Sequence, residues 1–142
     1  MKETRHLGVY GVIIDGDNIL LVRKSRGAYT GKLDLPGGSI EHGERPEETL
    51  IREIYEEVGV KIINYKIKCA ESAVVTWVNP YVGNIEENMH HIGIIYDVTI
   101  SKEDAIKKDA DGLDSLGAAW YKISELKEDE ISPLTYKVLK LK

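Results

Sequence analysis

Apolar residues recur along this chain in two different periods, and the change from one to the other outlines the elements. Leu7 to Ile14 and Ile19 to Val22 are apolar, β-branched runs. The turn-forming Asp15-Gly16-Asp17-Asn18 between them predicts a β-hairpin. Arg23 to Lys32 reads as a polar loop, and Leu33 to Leu35 as a short extended piece ahead of Pro36. Gly37-Gly38 reads as a break in regular structure. From Arg45 to Val58 the period becomes helical, with Pro46 in the first turn and Gly59 at the end. Strand-like alternation returns from Val60 to Val78, interrupted near Cys69 to Ser72. A loop is expected from Asn79 to Asn88, then a buried strand from about Met89 to Ile100. Ser101 to Asp114 is polar and acidic, which predicts a helix fragment and an exposed loop. Ala118 to Ile123 reads as the last strand, and Ser132-Pro133 opens a C-terminal helix reaching Leu141. The expected fold is α+β, a mixed β-sheet packed between helices in a single domain over residues 1–142.

The helix from Arg45 carries an unusual charge pattern. At about 100° per residue, Leu50, Ile51, Ile54, Tyr55 and Val58 fall within one arc. Glu53, Glu56 and Glu57 are expected together on the other side, with Arg52 beside them. Like charges one turn apart disfavour a helix, so the cluster needs a reason. One reading is a solvated acidic face, partly relieved by the Arg52–Glu56 pair at i, i+4. The other is a cation site, because oxygen-only donors are what Mg²⁺ or Mn²⁺ prefers.

The residues around the helix favour the cation. Gly38 is followed by five residues and Glu44, then seven residues and Arg52-Glu53, then Ile54-Tyr55-Glu56-Glu57-Val58-Gly59-Val60. This stretch resembles the signature box of the Nudix hydrolase family at every fixed position and spacing. The resemblance implies a Nudix-like α/β/α sandwich and a metal-dependent pyrophosphohydrolase. Such an enzyme cleaves a diphosphate linkage in a nucleoside triphosphate or another nucleoside diphosphate derivative, by water attack on phosphorus. By the resemblance, Mg²⁺ (or Mn²⁺) is held by Glu56 and Glu57. Glu53 is either a further ligand or the residue that polarises the water, and Glu53, Glu57 and Arg52 form the catalytic set. The residue chemistry is consistent with this. Gly37 and Gly38 let the backbone approach a phosphate, Glu44 reaches Arg52 and fixes its guanidinium, and Gly59 ends the helix.

Composition narrows the partners. With 19 basic and 24 acidic residues among 142, the net charge of −5 argues against a broad face for a nucleic-acid polymer. It leaves room for a small nucleotide, since one metal ion inverts the local charge. Cys69 is the only cysteine, and no apolar run approaches a membrane span of about 20 residues. A cytoplasmic setting is therefore expected. The resemblance adds a possible homodimer.

Other candidates follow from position. Arg23, Lys24, Arg26 and Lys32 either meet substrate phosphates or form a solvated basic loop, with Arg23 and Lys32 favoured. The resemblance also implies an acidic residue ahead of Trp120 that completes the metal site or contacts a base; Asp114, by its distance from Trp120, is the better match, with Asp111, Glu86 and Glu87 as competitors. His90 and His91 are adjacent in a strand and point to opposite faces, so at most one touches substrate. Trp77, Tyr81 and Trp120 are able to stack on a base, although packing suits Trp120 better. Cys69 reads as a small buried residue rather than a nucleophile. Two further functions compete with triphosphate hydrolysis: hydrolysis of ADP-ribose or a sugar nucleotide, and non-catalytic nucleotide sensing. The retained box carboxylates argue against the sensor.

Overall fold

A computed structural model of the chain describes residues 1–101, 106–107 and 115–140. The first strand, β1 (Lys2–Val12), crosses the middle of a four-stranded sheet. It pairs in parallel with β7 (Ile85–Ile100) and antiparallel with β5 (Gly37–Ser39). On its other edge β7 pairs antiparallel with β6 (Ile62–Asn79), giving the order β5-β1-β7-β6. A second sheet is built on β3 (Asn18–Lys24), which pairs with β2 (Ile14–Asp15), β4 (Leu33–Asp34) and β8 (Ser115–Lys122), all antiparallel. Helix α1 spans Pro46–Val58 and α2 spans Pro133–Lys140.

The expected mixed sheet between helices is present, and burial shows how the layers form. Alternating residues of the central strands point to opposite faces. Val9, Leu20, Val22, Tyr96 and Val98 pack with Leu50, Ile54 and Val58 of α1. Their neighbours Tyr10, Ile19, Leu21 and Ile95 pack with Leu134 and Val138 of α2. Both sheets therefore lie between the two helices, with one apolar cluster on each side.

Several expectations change. The apolar run from Leu7 to Ile14 is not one strand of a hairpin. It divides at Ile13, and only Ile14 and Asp15 turn back onto β3. Gly37 and Gly38 do not break regular structure, because both pair with β1 opposite Tyr10 and Val9. Strand β6 runs unbroken through Cys69 to Ser72, and the disturbance is a register shift between Ile67 and Cys69. The loop expected over Asn79 to Asn88 shrinks to a single 3₁₀ turn, Pro80–Val82, and its exit, because β7 already begins at Ile85. The segment from Ser101 to Asp114 lies largely outside the described residues. No helix among those described is long and apolar enough to cross a membrane.

Leu50 and Leu134 are fully buried and belong to different clusters. Replacing either with Ala is expected to cost about 2–5 kcal/mol, the transfer and cavity terms together. Urea denaturation of both single variants and the double variant checks this. A double-variant loss equal to either single loss would contradict two separate cores.

Candidate active site

Helix α1 is positioned by caps and by one arginine. Glu48 Oε1 accepts a hydrogen bond from the Arg45 backbone N–H at 2.9 Å, closing the first turn. At the other end Gly59 is left-handed (φ 80°) and its N–H reaches the Tyr55 carbonyl. Between them Arg52 uses all five of its N–H donors. Its Nε and Nη2 donate to the two oxygens of Glu44 at 2.7 and 2.9 Å, and Nη2 also reaches the Ser39 carbonyl at 3.2 Å. Its Nη1 donates to Glu53 Oε1 at 2.8 Å and to Glu56 Oε2 at 3.4 Å. Glu44 also accepts from the Thr49 hydroxyl and the Glu41 N–H. The Arg52 hydrogen bonds, helped by that backbone N–H, hold the Glu44 carboxyl down to about 2.

The glutamates do not form the outward-facing cluster that the helical wheel suggested. Glu57 stands seven residues after Leu50, only about 20° away around the helix. It is 2% exposed, and its Oε1 accepts the Gly37 N–H at 2.8 Å. Ile51 and Tyr55, expected on the buried arc, are 47% and 59% exposed. Glu53 lies against β5, where a Cβ added at Gly38 would meet its carboxylate at 2.6–2.8 Å. Glu56 remains half exposed. Gly37 and Gly38 thus form a thin strand that lets two carboxylates close in from the helix. Among the described residues no group of three His, Cys, Asp or Glu side chains stands ready to hold a metal ion. Arg52 occupies the space between Glu53 and Glu56.

Beside this helix is a cavity of about 460 Å³ bordered by Gly37, Gly38 and Glu53, and further along by Asp34, Tyr29, His91, Trp77 and Tyr81. The basic residues that border it are Lys24 and Arg26. Arg23 and Lys32, favoured by position, turn elsewhere. Arg23 donates to the Gly31 carbonyl and Lys32 to the Asp129 carbonyl. A register shift between Val22 and Lys24 alters the alternation that a regular strand would have followed. Asp114 and Asp111 lie outside the described residues. Glu87 is buried and takes a hydrogen bond from Asn79, and Glu86 pairs in register with Val78. Trp120 is on β8 and borders a different cavity.

The burial of two residues of this cavity is not legible in the sequence. His91, one of the two adjacent strand histidines, is 1% exposed and central in β7. The Tyr10 hydroxyl lies 2.6 Å from its Nε2 and the Tyr29 hydroxyl 2.7 Å from its Nδ1. A neutral imidazole satisfies both, donating to one tyrosine and accepting from the other. Burial pushes its pKa down to about 3, with the charges of His6 and Lys24 adding to the effect. His6 is its register partner on β1 and stacks on it at 4.8 Å. Asp34, a carboxylate between two core leucines, is the other. The only sequence signal for either was a polar residue inside an apolar run.

A model of the NUDIX domain matches residues 4–141, and the chain belongs to that family of hydrolases. It is 32% identical over 134 residues to the nucleoside triphosphatase NudI of Escherichia fergusonii, with 92% of each chain covered. It is 31% identical, with the same coverage, to the NudI of Escherichia coli O139:H28. Among solved structures, a MutT NUDIX hydrolase from Burkholderia pseudomallei shares the fold with a TM-score of 0.73. That pair has 22% identity and covers 96% of this chain and 97% of the other.

The His91 environment has a consequence for stability. Unfolded, the imidazole binds a proton near its ordinary 6.5, while folded it does so only near 3. Between those values the unfolded state holds more protons, so stability is full above about pH 6.5 and falls as pH is lowered, by up to about 1.4 kcal/mol per unit. Glu44 contributes to acid loss only below its ordinary 4.5, so the interval from pH 7 to 5 isolates the histidine from it. Urea midpoints should fall across that interval in the wild type and fall less in His91→Gln. Equal slopes would contradict the account.

Proposed function

We propose that this chain is a divalent-metal-dependent pyrophosphohydrolase that cleaves the phosphoanhydride linkage of a nucleoside triphosphate by water attack on phosphorus. One observation carries the reading. In a complete Nudix box, Glu57 is bonded to the Gly37 N–H, Glu53 lies against Gly38 at the border of a cavity that continues into aromatic side chains, and Arg52 links Glu53 to Glu56. The NudI relatives, named as nucleoside triphosphatases and matched over nearly their whole length, support the substrate class.

The donor set fits a hard cation in its chemistry. Glu53, Glu56 and Glu57 supply carboxylate oxygens only, which suits Mg²⁺ or Mn²⁺. Glu56 is half exposed, and Arg52 holds it by the longest of its hydrogen bonds, so it is the ligand freest to turn inward. Such an ion neutralises charge on phosphoryl oxygens and acidifies water. The chain's own residues do the rest. Glu57 ties the helix to β5 through the Gly37 N–H, and Glu53, bordering the cavity, accepts a proton from the attacking water. Arg52 fixes the orientation of Glu53, while Glu44 fixes Arg52. Lys24 and Arg26 face the cavity and meet the negative charge of the phosphates. Asp114 completes the ligand set in this reading, the substrate is a small nucleotide, and residues 1–142 act as one domain. A cytoplasmic compartment suits the free thiol of Cys69.

Glu53→Gln and Glu57→Gln keep side-chain size and a hydrogen-bond acceptor. They should lower kcat by about 10²–10⁴-fold while the circular dichroism spectrum stays unchanged. Chelation by EDTA should abolish turnover, and Mg²⁺ or Mn²⁺ should restore it. Measuring pyrophosphate and phosphate release from a panel of triphosphates decides the matter. Near-wild-type rates in both variants at saturating Mg²⁺ would discard the site.

A further inference from the structure

The turn over residues 25–31 is open at both of its glycines. Gly27 and Gly31 are left-handed (φ 89° and 83°), and a Cβ at either would meet nothing within 4 Å. Thr30 donates to the Gly27 carbonyl from its N–H and its hydroxyl, and the Gly31 N–H donates to the Lys24 carbonyl. These bonds close the turn on itself and on β3. Tyr29, between the two glycines, is buried, and its hydroxyl crosses to β7, where it meets His91 Nδ1 at 2.7 Å. The same turn brings Arg26, Gly27 and Ala28 to the cavity, and Arg26 makes no ion pair among the described residues.

A proton count gives this network a direction. A neutral imidazole has one N–H and one lone pair, so one tyrosine donates to it and the other accepts. Tyr10 belongs to the core cluster against α2, and its hydroxyl is pressed on Gly8, where a Cβ would collide with it. His91 Nε2, at 2.6 Å, is the one hydrogen-bond partner of that hydroxyl among the described residues. A hydroxyl enclosed in this way donates to Nε2, because a buried donor without an acceptor is costly. His91 therefore carries its proton on Nδ1 and gives it to the Tyr29 oxygen. Apolar side chains of the same shape would fill this space at little or no cost in stability. What the polar set adds is direction, since its bonds allow one placement of Tyr29 against β7. We propose that His91 is a positioning residue for phosphate binding: through Tyr29 it fixes the turn that carries Arg26 to the cavity. The inference rests on the nucleotide reading above and adds the group that holds the phosphate-binding arginine in place.

Calorimetric titration with the α,β-methylene analogues of ATP, GTP, CTP and UTP in Mg²⁺ reads binding apart from turnover. Arg26→Gln and Tyr29→Phe should each weaken the tightest of the four by about 10-fold. The double variant should bind no more weakly than Arg26→Gln alone, because Tyr29 acts through that arginine. Nitrogen NMR of the wild type should find His91 protonated on Nδ1 and bare on Nε2. Unchanged affinity in Tyr29→Phe, losses that multiply in the double variant, or a proton on Nε2 overturns the assignment. A network that serves stability alone gives the first of these outcomes, with a lower urea midpoint in Tyr29→Phe and the affinity intact. If Tyr29→Phe does not fold, two variants of the histidine decide instead. His91→Asn, whose amide takes the place of the Nδ1–H donor, should retain more affinity than His91→Leu, and equal affinity in the two overturns the proposal. Wild type that binds none of the analogues would overturn the nucleotide reading as well, whereas binding without the coupling overturns the positioning alone.

Discussion

The guanidinium of Arg52 joins three parts of the chain at a single side chain. Its fork grips both oxygens of Glu44 from the loop before the helix, and one nitrogen reaches the Ser39 carbonyl at the end of β5. The opposite nitrogen aligns Glu53 and Glu56. Ion pairs this near the surface contribute little to stability. The consequence is geometric, because a planar fork with every donor engaged allows one orientation of the loop against the helix. A lysine has no such fork and would leave the glutamates without a common reference.

That constraint acts on a strand with almost no side chains. Because β5 carries glycine at two successive positions, the helix comes close enough for Glu57 to accept a backbone N–H and for Glu53 to lie over Gly38. The close approach places the Glu53 carboxylate at the border of a cavity to whose wall other elements contribute: Tyr10 from β1, Asp34 from β4, Trp77 from β6 and His91 from β7. Acidic and aromatic walls thus arise from different parts of the sequence. The His91 network with Tyr10 and Tyr29 and the Asp34 network with Ser132 and Thr135 hold those walls in place.

Local signals carried the reading of α1, its glycine stop and the helix after Ser132-Pro133, because caps and period are set within a few residues. The box was legible for the same reason. What the sequence concealed depends on pairing between distant segments. Gly37-Gly38 has low strand propensity and becomes a strand because β1 offers an edge at that register. Arg23 and Lys24 differ in fate through a register shift whose cause is the partner strands. Glu57 was misplaced for a simpler reason. Two helical turns are 7.2 residues, so the seventh residue returns almost to the buried side, where the Gly37 N–H supplies a donor to the carboxylate. His91 and Asp34 were marked only by being polar within apolar runs, a pattern that identifies a buried group without naming its partners.

The central claim is that Glu53 and Glu56 can release Arg52 in part and close, together with Glu57, around a hard divalent cation. The most direct measurement is an anomalous difference map from a crystal soaked in Mn²⁺. The account predicts a peak among the three carboxylates, with Glu56 turned off Arg52 and Glu44 still holding it. A map with no peak there, and with Arg52 still bonded to both Glu53 and Glu56 at saturating Mn²⁺, would contradict it.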